Sequence, residues 1–190
     1  MTSEEQYQQE LKQSDIDHHT PTAGAMTGHI IANLLIHSLK ISQAKLFTKG
    51  NAALFLSQYG DDWIAHEQEA FNHLNQLLVQ NGESIPTTTD QFREFTMLEE
   101  SGADKYLPGD DQLFALVKDF DTQILFITKA IALGNKEEWP ELAVDLTELL
   151  SWIKKQIALT QRFLGHDLRM GLYTEEDDER RTLCSPGSAL

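Results

Sequence analysis

The chain has one cysteine, Cys184, in 190 residues. It can form no internal disulfide, and a reducing compartment, the cytoplasm, is the expected location. No run approaches the ~20 apolar residues that a membrane span needs. The opening residues, MTSEEQYQQELKQ, lack the basic start and apolar middle of a secretory signal. Basic residues are scarce: 15 Lys and Arg stand against 30 Asp and Glu, a net charge of −15. A generic nucleic-acid binder carries a basic stripe, which this balance does not offer. The excess of acid suits solubility, or the attraction of cations. There is also no glycine-rich phosphate loop, nucleophile triad or cysteine metal cluster.

What the sequence does contain is helical periodicity. At 41% hydrophobic and 24% charged residues, the chain reads as one globular domain with a sizeable core. Residues 54–80 carry the clearest stripe: Leu56, Tyr59, Trp63, Ala70, Phe71, Leu74, Leu77 and Leu78 recur with a period near 3.6. Glu67 interrupts that stripe, and Asn72 and Gln76 sit on the opposite face. A first long helix is expected over 26–48, with apolar residues from Ile30 to Leu46 covering a wide arc. That breadth suggests burial on two sides, against the bundle and against a partner subunit. Gly50-Asn51 makes a break, with Asn51 as the expected cap. A third helix is expected over 111–133, closed by Gly134. A fourth starts at Pro140, where a missing N–H does no harm, and ends at Gly165.

Residues 82–110, with Pro86, Pro108 and Gly109, form a long connection, with a short helix expected over 89–95. Two hairpins with short turns joined by one long crossover give an all-α, ferritin-like four-helix bundle, with its second and third helices parallel. The expected organisation is an N-terminal extension over 1–25, the bundle over 26–165 and a charged tail over 166–190. Within the extension, 3–13 reads as a short helix capped by Ser3 and 14–25 as a linker.

From Gly28 to Gly165 the sequence resembles the Dps family, the miniferritin branch of the ferritin-like fold. The resemblance rests on the hairpin IANLLIHSLKISQAKLFTKGNAALFLSQ with Gly50 at the turn, on NGESIPTTTDQF in the crossover, and on the closing RFLG. It implies a homo-oligomeric cage, most simply a dodecamer, serving iron sequestration and the protection of DNA from oxidative stress. It also implies a di-iron ferroxidase site between subunits. The family places a His five residues before the turn Gly, with Trp after it. A second His follows seven residues past the Gly, and then an Asp-x-x-x-Glu. Those positions here hold Lys45 with Leu46 after it, Ser57, Asn72 and Gln76. Fe²⁺ oxidation needs anionic oxygens and imidazole. Two neutral amides and an ammonium do not supply them, so the usual site is expected to be lost. Lys45 is expected to bond Asn72 or Gln76 across the dimer interface.

Glu67 raises the question of relocated chemistry. A buried carboxylate is costly unless it is paired or metal-bound. At ~1.5 Å rise per residue, His37 and Glu67 both lie ~20 Å from the turn, and Asp121 on the third helix lies near that height. Two readings stand: a His37–Glu67 pair, or an intra-bundle metal site of His37, Glu67 and Asp121. His66, Glu69 and His73 lie to one side. His18-His19 reads as a solvated pair or a surface metal site. Glu137, Glu138, Glu141 and Asp145 favour the dipole of the fourth helix; the resemblance makes them an acidic pore lining.

DNA-binding extensions in the family are rich in Lys and Arg. Here residues 1–27 offer Lys12 alone against five acids, Glu4, Glu5, Glu10, Asp15 and Asp17. Repetition of the helix over a cage would let weak contacts add by avidity, so DNA through the N-terminal extension stays among the partners. Location at the nucleoid would follow. Rival readings are a DNA-binding cage with little iron chemistry, and a helical-bundle interaction protein that never assembles.

Overall fold

A computed structural model describes residues 2–19 and 21–172, and every regular element in it is helical. Helix α1 spans Ser3–His19, α2 Ala23–Phe47, α3 Asn51–Gln80, α4 Thr89–Phe95, α5 Gly109–Lys136 and α6 Pro140–Phe163. Residues 173–190 lie outside the described part. With them go Cys184, Arg180, Arg181 and the acidic run Glu175–Glu179.

The short helix and linker expected at the N-terminus need correction. Helix α1 continues to His19, and the gap before α2 is only a few residues. Pro21 cannot donate a backbone hydrogen bond, and Thr22 caps α2 by accepting from the Ala25 N–H at 3.0 Å. Gly24, inside the expected linker, is the second residue of α2; its missing side chain makes room for Glu83. His18 and His19 end α1, and their side chains lie outside the described part.

At the α2–α3 turn, Gly50 rather than Asn51 is the cap. Its φ of 69° and ψ of −145° belong to a region open only to glycine. Asn51 is the first helical residue. Helix α5 also exceeds its expected bounds. It begins at Gly109 and runs past Gly134, which is buried within it, 3.5 Å from the Trp139 carbonyl by its would-be Cβ. That glycine lets the return turn lie close against the helix.

The expected short helix at 89–95 is present. Thr88 caps it, and Gln91 reaches back to complete a capping box. A single 3₁₀ turn follows at Asp104–Tyr106.

Two contacts fix the topology. Thr48, at the end of α2, bonds Gln112 near the start of α5 at 3.1 Å. The Glu137 carboxylate, just past the end of α5, accepts from the Ala23 N–H at 3.0 Å. Helices α2 and α5 are therefore antiparallel. Since α2 and α3 are joined by a short turn, α3 and α5 are parallel, as the long crossover requires. The core between the four long helices is aliphatic with aromatic centres. Trp63 and Phe120 meet edge to face at 5.2 Å, and the Trp63 indole N–H donates to Gln156 at 3.0 Å. After α6, residues 166–172 fold back on the bundle. Gln161 donates to the Met170 carbonyl at 3.0 Å, and Leu172 is buried.

Candidate functional site

Midway along the bundle, the apolar stripes of α2, α3 and α5 are each broken by polar residues at one height. From α2 comes His37, from α3 Glu67, and from α5 Asp119 and Gln123; all four are buried. His37 Nδ1 and Glu67 Oε1 lie 2.5 Å apart, with both side chains wholly enclosed. Lys40, one turn along α2 from His37, reaches Asp119 at 2.7 Å and donates to the Glu99 carbonyl of the crossover at 2.6 Å. Phe120 packs edge to face on the His37 ring at 4.4 Å.

The electrostatics follow from burial and from these neighbours. Burial alone would lower the proton affinity of His37. The Glu67 carboxylate, and Asp119 beyond it, more than reverse this, so the imidazole titrates above its usual range. Burial pushes the Glu67 carboxyl up, and His37 pulls it only part of the way back. The two groups together hold a proton more tightly than they would in water. Asp119 Oδ2 has the Lys40 ammonium as its ion-pair partner, while His37 Nε2, Glu67 Oε2 and both amide atoms of Gln123 lack a full hydrogen bond. Gln123 lies near enough to favour the ionised form of Glu67, without the geometry of a complete bond.

Asp121 does not join this group, and its expected place there needs correction. It lies two residues past Asp119, about 200° around a helix. It pairs with Arg169 of the returning C-terminal segment at 2.7 Å. Among the described residues, no three His, Cys, Asp or Glu side chains are grouped so as to hold a metal ion.

Lys45 also differs from expectation. Within this chain it makes an ion pair with Asp61 on α3. Its stem lies over Gly60, where an added Cβ would stand 2.7 Å from Lys45 Cδ. Ser57, Asn72 and Gln76 are exposed on α3. Asn72 and Gln76 line a groove of about 810 Å³ between α3 and α6, together with His66, Glu69, His73 and Glu148. There His73 bonds Asp145 at 2.8 Å. His66 stacks on Trp152 at 4.1 Å; burial holds its imidazole below the usual range, against the opposing pull of Glu69. Of the remaining acids, Glu137 accepts from the Ala23 N–H at the start of α2, Glu138 sits in the turn at φ 58°, and Glu141 lies in the first turn of α6. Glu137 and Glu138 thus precede the fourth helix rather than start it.

No protein-family model and no curated protein matches the sequence. Solved structures do match. DpsB from Lactococcus lactis has a TM-score of 0.81 and 35% identity, over 86% of this chain and 95% of its own. The chain belongs to the Dps family. DpsA from the same organism agrees, at TM-score 0.82 and 30% identity over 88% of this chain and 98% of its own. Dps from Listeria monocytogenes, 24% identical, shares the fold at TM-score 0.74 over 77% of this chain and 96% of its own.

In this Dps chain, sequence reasoning found His37 and Glu67 but missed Asp119, Lys40 and Gln123. A signal was available: Lys40 interrupts the apolar arc of α2, and Asp119 falls between Val117 and Phe120 on α5. It also missed Asp61 as the partner of Lys45. The clue there was Gly60, a mid-helix glycine costing ~1 kcal/mol relative to alanine.

Proposed function

We propose that this chain builds a Dps-type homo-oligomeric cage, a dodecamer, that sequesters iron and limits oxidative damage without the family's inter-subunit ferroxidase chemistry. Iron is its cargo. The observation that carries this reading is Lys45. Its ammonium is tied to Asp61 in its own chain, at a position where the family resemblance places a ligand imidazole. An ammonium so held repels Fe²⁺ and donates no lone pair. The partner positions, Asn72 and Gln76, offer neutral carbonyl oxygens in place of carboxylates. Iron would then enter by the acids near the α5–α6 turn, Glu137, Glu138, Glu141 and Asp145, and collect on acidic wall surface.

Two measurements test this. In size-exclusion chromatography with light scattering, chains of 21.5 kDa assembled as a closed dodecamer give ~260 kDa; a monomer would overturn the cage. Anaerobic Fe²⁺ loading followed by oxidation should give retained iron at a rate close to that of buffer. Fast oxidation abolished by Asn72→Ala or Gln76→Ala would overturn the loss of the inter-subunit site.

A second reading, a DNA-binding cage located at the nucleoid, is favoured by α1. This helix is polar on all sides and rests mainly on α2, leaving Lys12 exposed. A gel shift lost on deleting residues 1–20 supports it; no shift at low salt removes it. No described helix is long and apolar enough to cross a membrane.

A further inference from the structure

Four polar atoms at the centre of the bundle lack full hydrogen bonds, and they come from three helices. They are His37 Nε2 on α2, Glu67 Oε2 on α3, and both amide atoms of Gln123 on α5. The three residues are 0%, 1% and 0% exposed, so bulk solvent does not reach these atoms. Native interiors rarely leave even one such group bare, because its desolvation then goes uncompensated. Here four share one height. Their chemistry defines what can meet them. Glu67 Oε2 accepts. The Gln123 amide offers a donor and an acceptor. His37 Nε2 plays either part, according to the protons on the ring. The guest must therefore both donate and accept. It must also be neutral: an anion would meet Glu67 and Asp119, and no three His, Cys, Asp or Glu side chains among the described residues are grouped to hold a metal ion. An apolar guest would leave all four atoms bare.

We propose that this cluster is an internal hydration site, in which one or two resident waters bond Glu67 Oε2, the Gln123 amide and His37 Nε2 and so tie α3, α5 and α2 together. Water is the smallest neutral molecule with two donors and two acceptors, and a buried water makes about three bonds to protein. The surroundings enclose it. Phe120 lies edge to face on the His37 ring at 4.4 Å. On the outer side, α2 holds the crossover by its backbone. His29 Nδ1 donates to the Phe95 carbonyl at 2.7 Å, Asn33 accepts from the Met97 N–H at 2.8 Å, and Lys40 donates to the Glu99 carbonyl at 2.6 Å. Lys40 also pairs with Asp119, one turn before Gln123, and forms part of the wall of a surface cleft with Gln43 and Ser101. Exchange with solvent then requires Lys40 and the crossover to move. All of these atoms lie within one chain, so the site stands whether or not the cage forms.

A crystal structure of the full-length protein tests this directly. Ordered density about 3 Å from Glu67 Oε2 and from the Gln123 amide, without anomalous signal, is expected in every chain. Gln123→Met keeps the length of the side chain and removes the amide. With a bridging water, this variant loses one ordered water and its long-lived signal in deuterium relaxation dispersion, and Tm falls because Glu67 Oε2 is left bare. With an amide that is merely unpaired, the same substitution relieves it and Tm rises. Should Gln123→Met fail to fold, Gln123→Asn keeps the amide one methylene shorter and should fold with an additional water in the space. A dry centre in a wild-type map that shows internal water elsewhere would overturn the hydration site. So would a metal's anomalous signal there, a Gln123→Met variant at or above the wild-type Tm, or a folded Gln123→Asn variant without the added water.

Discussion

Replacing Glu67 by leucine isolates the energetics of the buried pair. His37 and Glu67 are 0% and 1% exposed and bonded at 2.5 Å. Leucine removes the carboxylate, leaves His37 Nδ1 without its partner, and leaves Asp119 and Lys40 in place. Breaking a buried pair from one side costs about 3–5 kcal/mol. For a chain of this length each kcal/mol lowers Tm by about 2–4 °C, so a fall of roughly 6–20 °C is expected by calorimetry. The double variant His37→Phe/Glu67→Leu should recover much of that loss, since no orphaned polar group then remains.

The pH dependence has a definite sign. Both groups titrate above their ordinary values, 6.5 for His37 and 4.5 for Glu67. In the window above those values the folded chain holds a proton that the unfolded chain has released. The pair's contribution is thus fully present at low pH and is lost as pH rises through the folded values. Chemical denaturation of wild type and double variant, from pH 6 to pH 9, should show the wild type losing its relative advantage as pH rises. A single variant within 1 kcal/mol of wild type, or an advantage that grows with pH, would refute the pairing argument.

Other expectations follow from the same structure. Gly60→Ala should push the Lys45 stem off α3 and break its pair with Asp61, seen as a shifted Lys45 side-chain signal by NMR. Because Asp61 is exposed, the stability change should stay within about 1 kcal/mol. Installing Lys45→His, Ser57→His, Asn72→Asp and Gln76→Glu together should create Fe²⁺ oxidation absent from the wild type, read by absorbance on aerobic addition of iron. Trp63→Phe removes a buried indole donor from Gln156, and should cost about 1–3 kcal/mol in urea denaturation. Glu137→Ala removes the side chain accepting from Ala23 N–H, with a cost of about 1 kcal/mol and faster hydrogen exchange in the first turn of α2.

Much of the fold was legible because it rests on local periodicity. The stripe from Leu56 to Leu78, repeated turn by turn, and Pro140 at a helix start are both local patterns. The long connection at 82–110, set between two short turns, was enough to make α3 and α5 parallel. Element ends were less legible. Gly24 fell in the expected linker and Gly134 looked like a helix end, but each is a helical residue whose missing side chain admits a neighbour. Gly24 faces Glu83, and Gly134 lies against the turn at Trp139.

The candidate site divides in the same way. Counting residues from Gly50 put His37 and Glu67 at one height, because rise along a helix is fixed. Height does not give direction around the helix. Asp119 and Asp121 differ by two positions and so by about 200°. One faces the buried pair and Lys40; the other faces Arg169. Lys45 is similar: its residue type marked a changed ligand position, but its partner depended on Gly60 clearing space above Asp61. By itself, then, the sequence determined the helices, their order, the parallel second and third members, and the chemistry available at each position. Only the tertiary structure decided which charges meet. Those pairings depend on rotation and close approach between helices that lie far apart in the chain, and no local pattern encodes that.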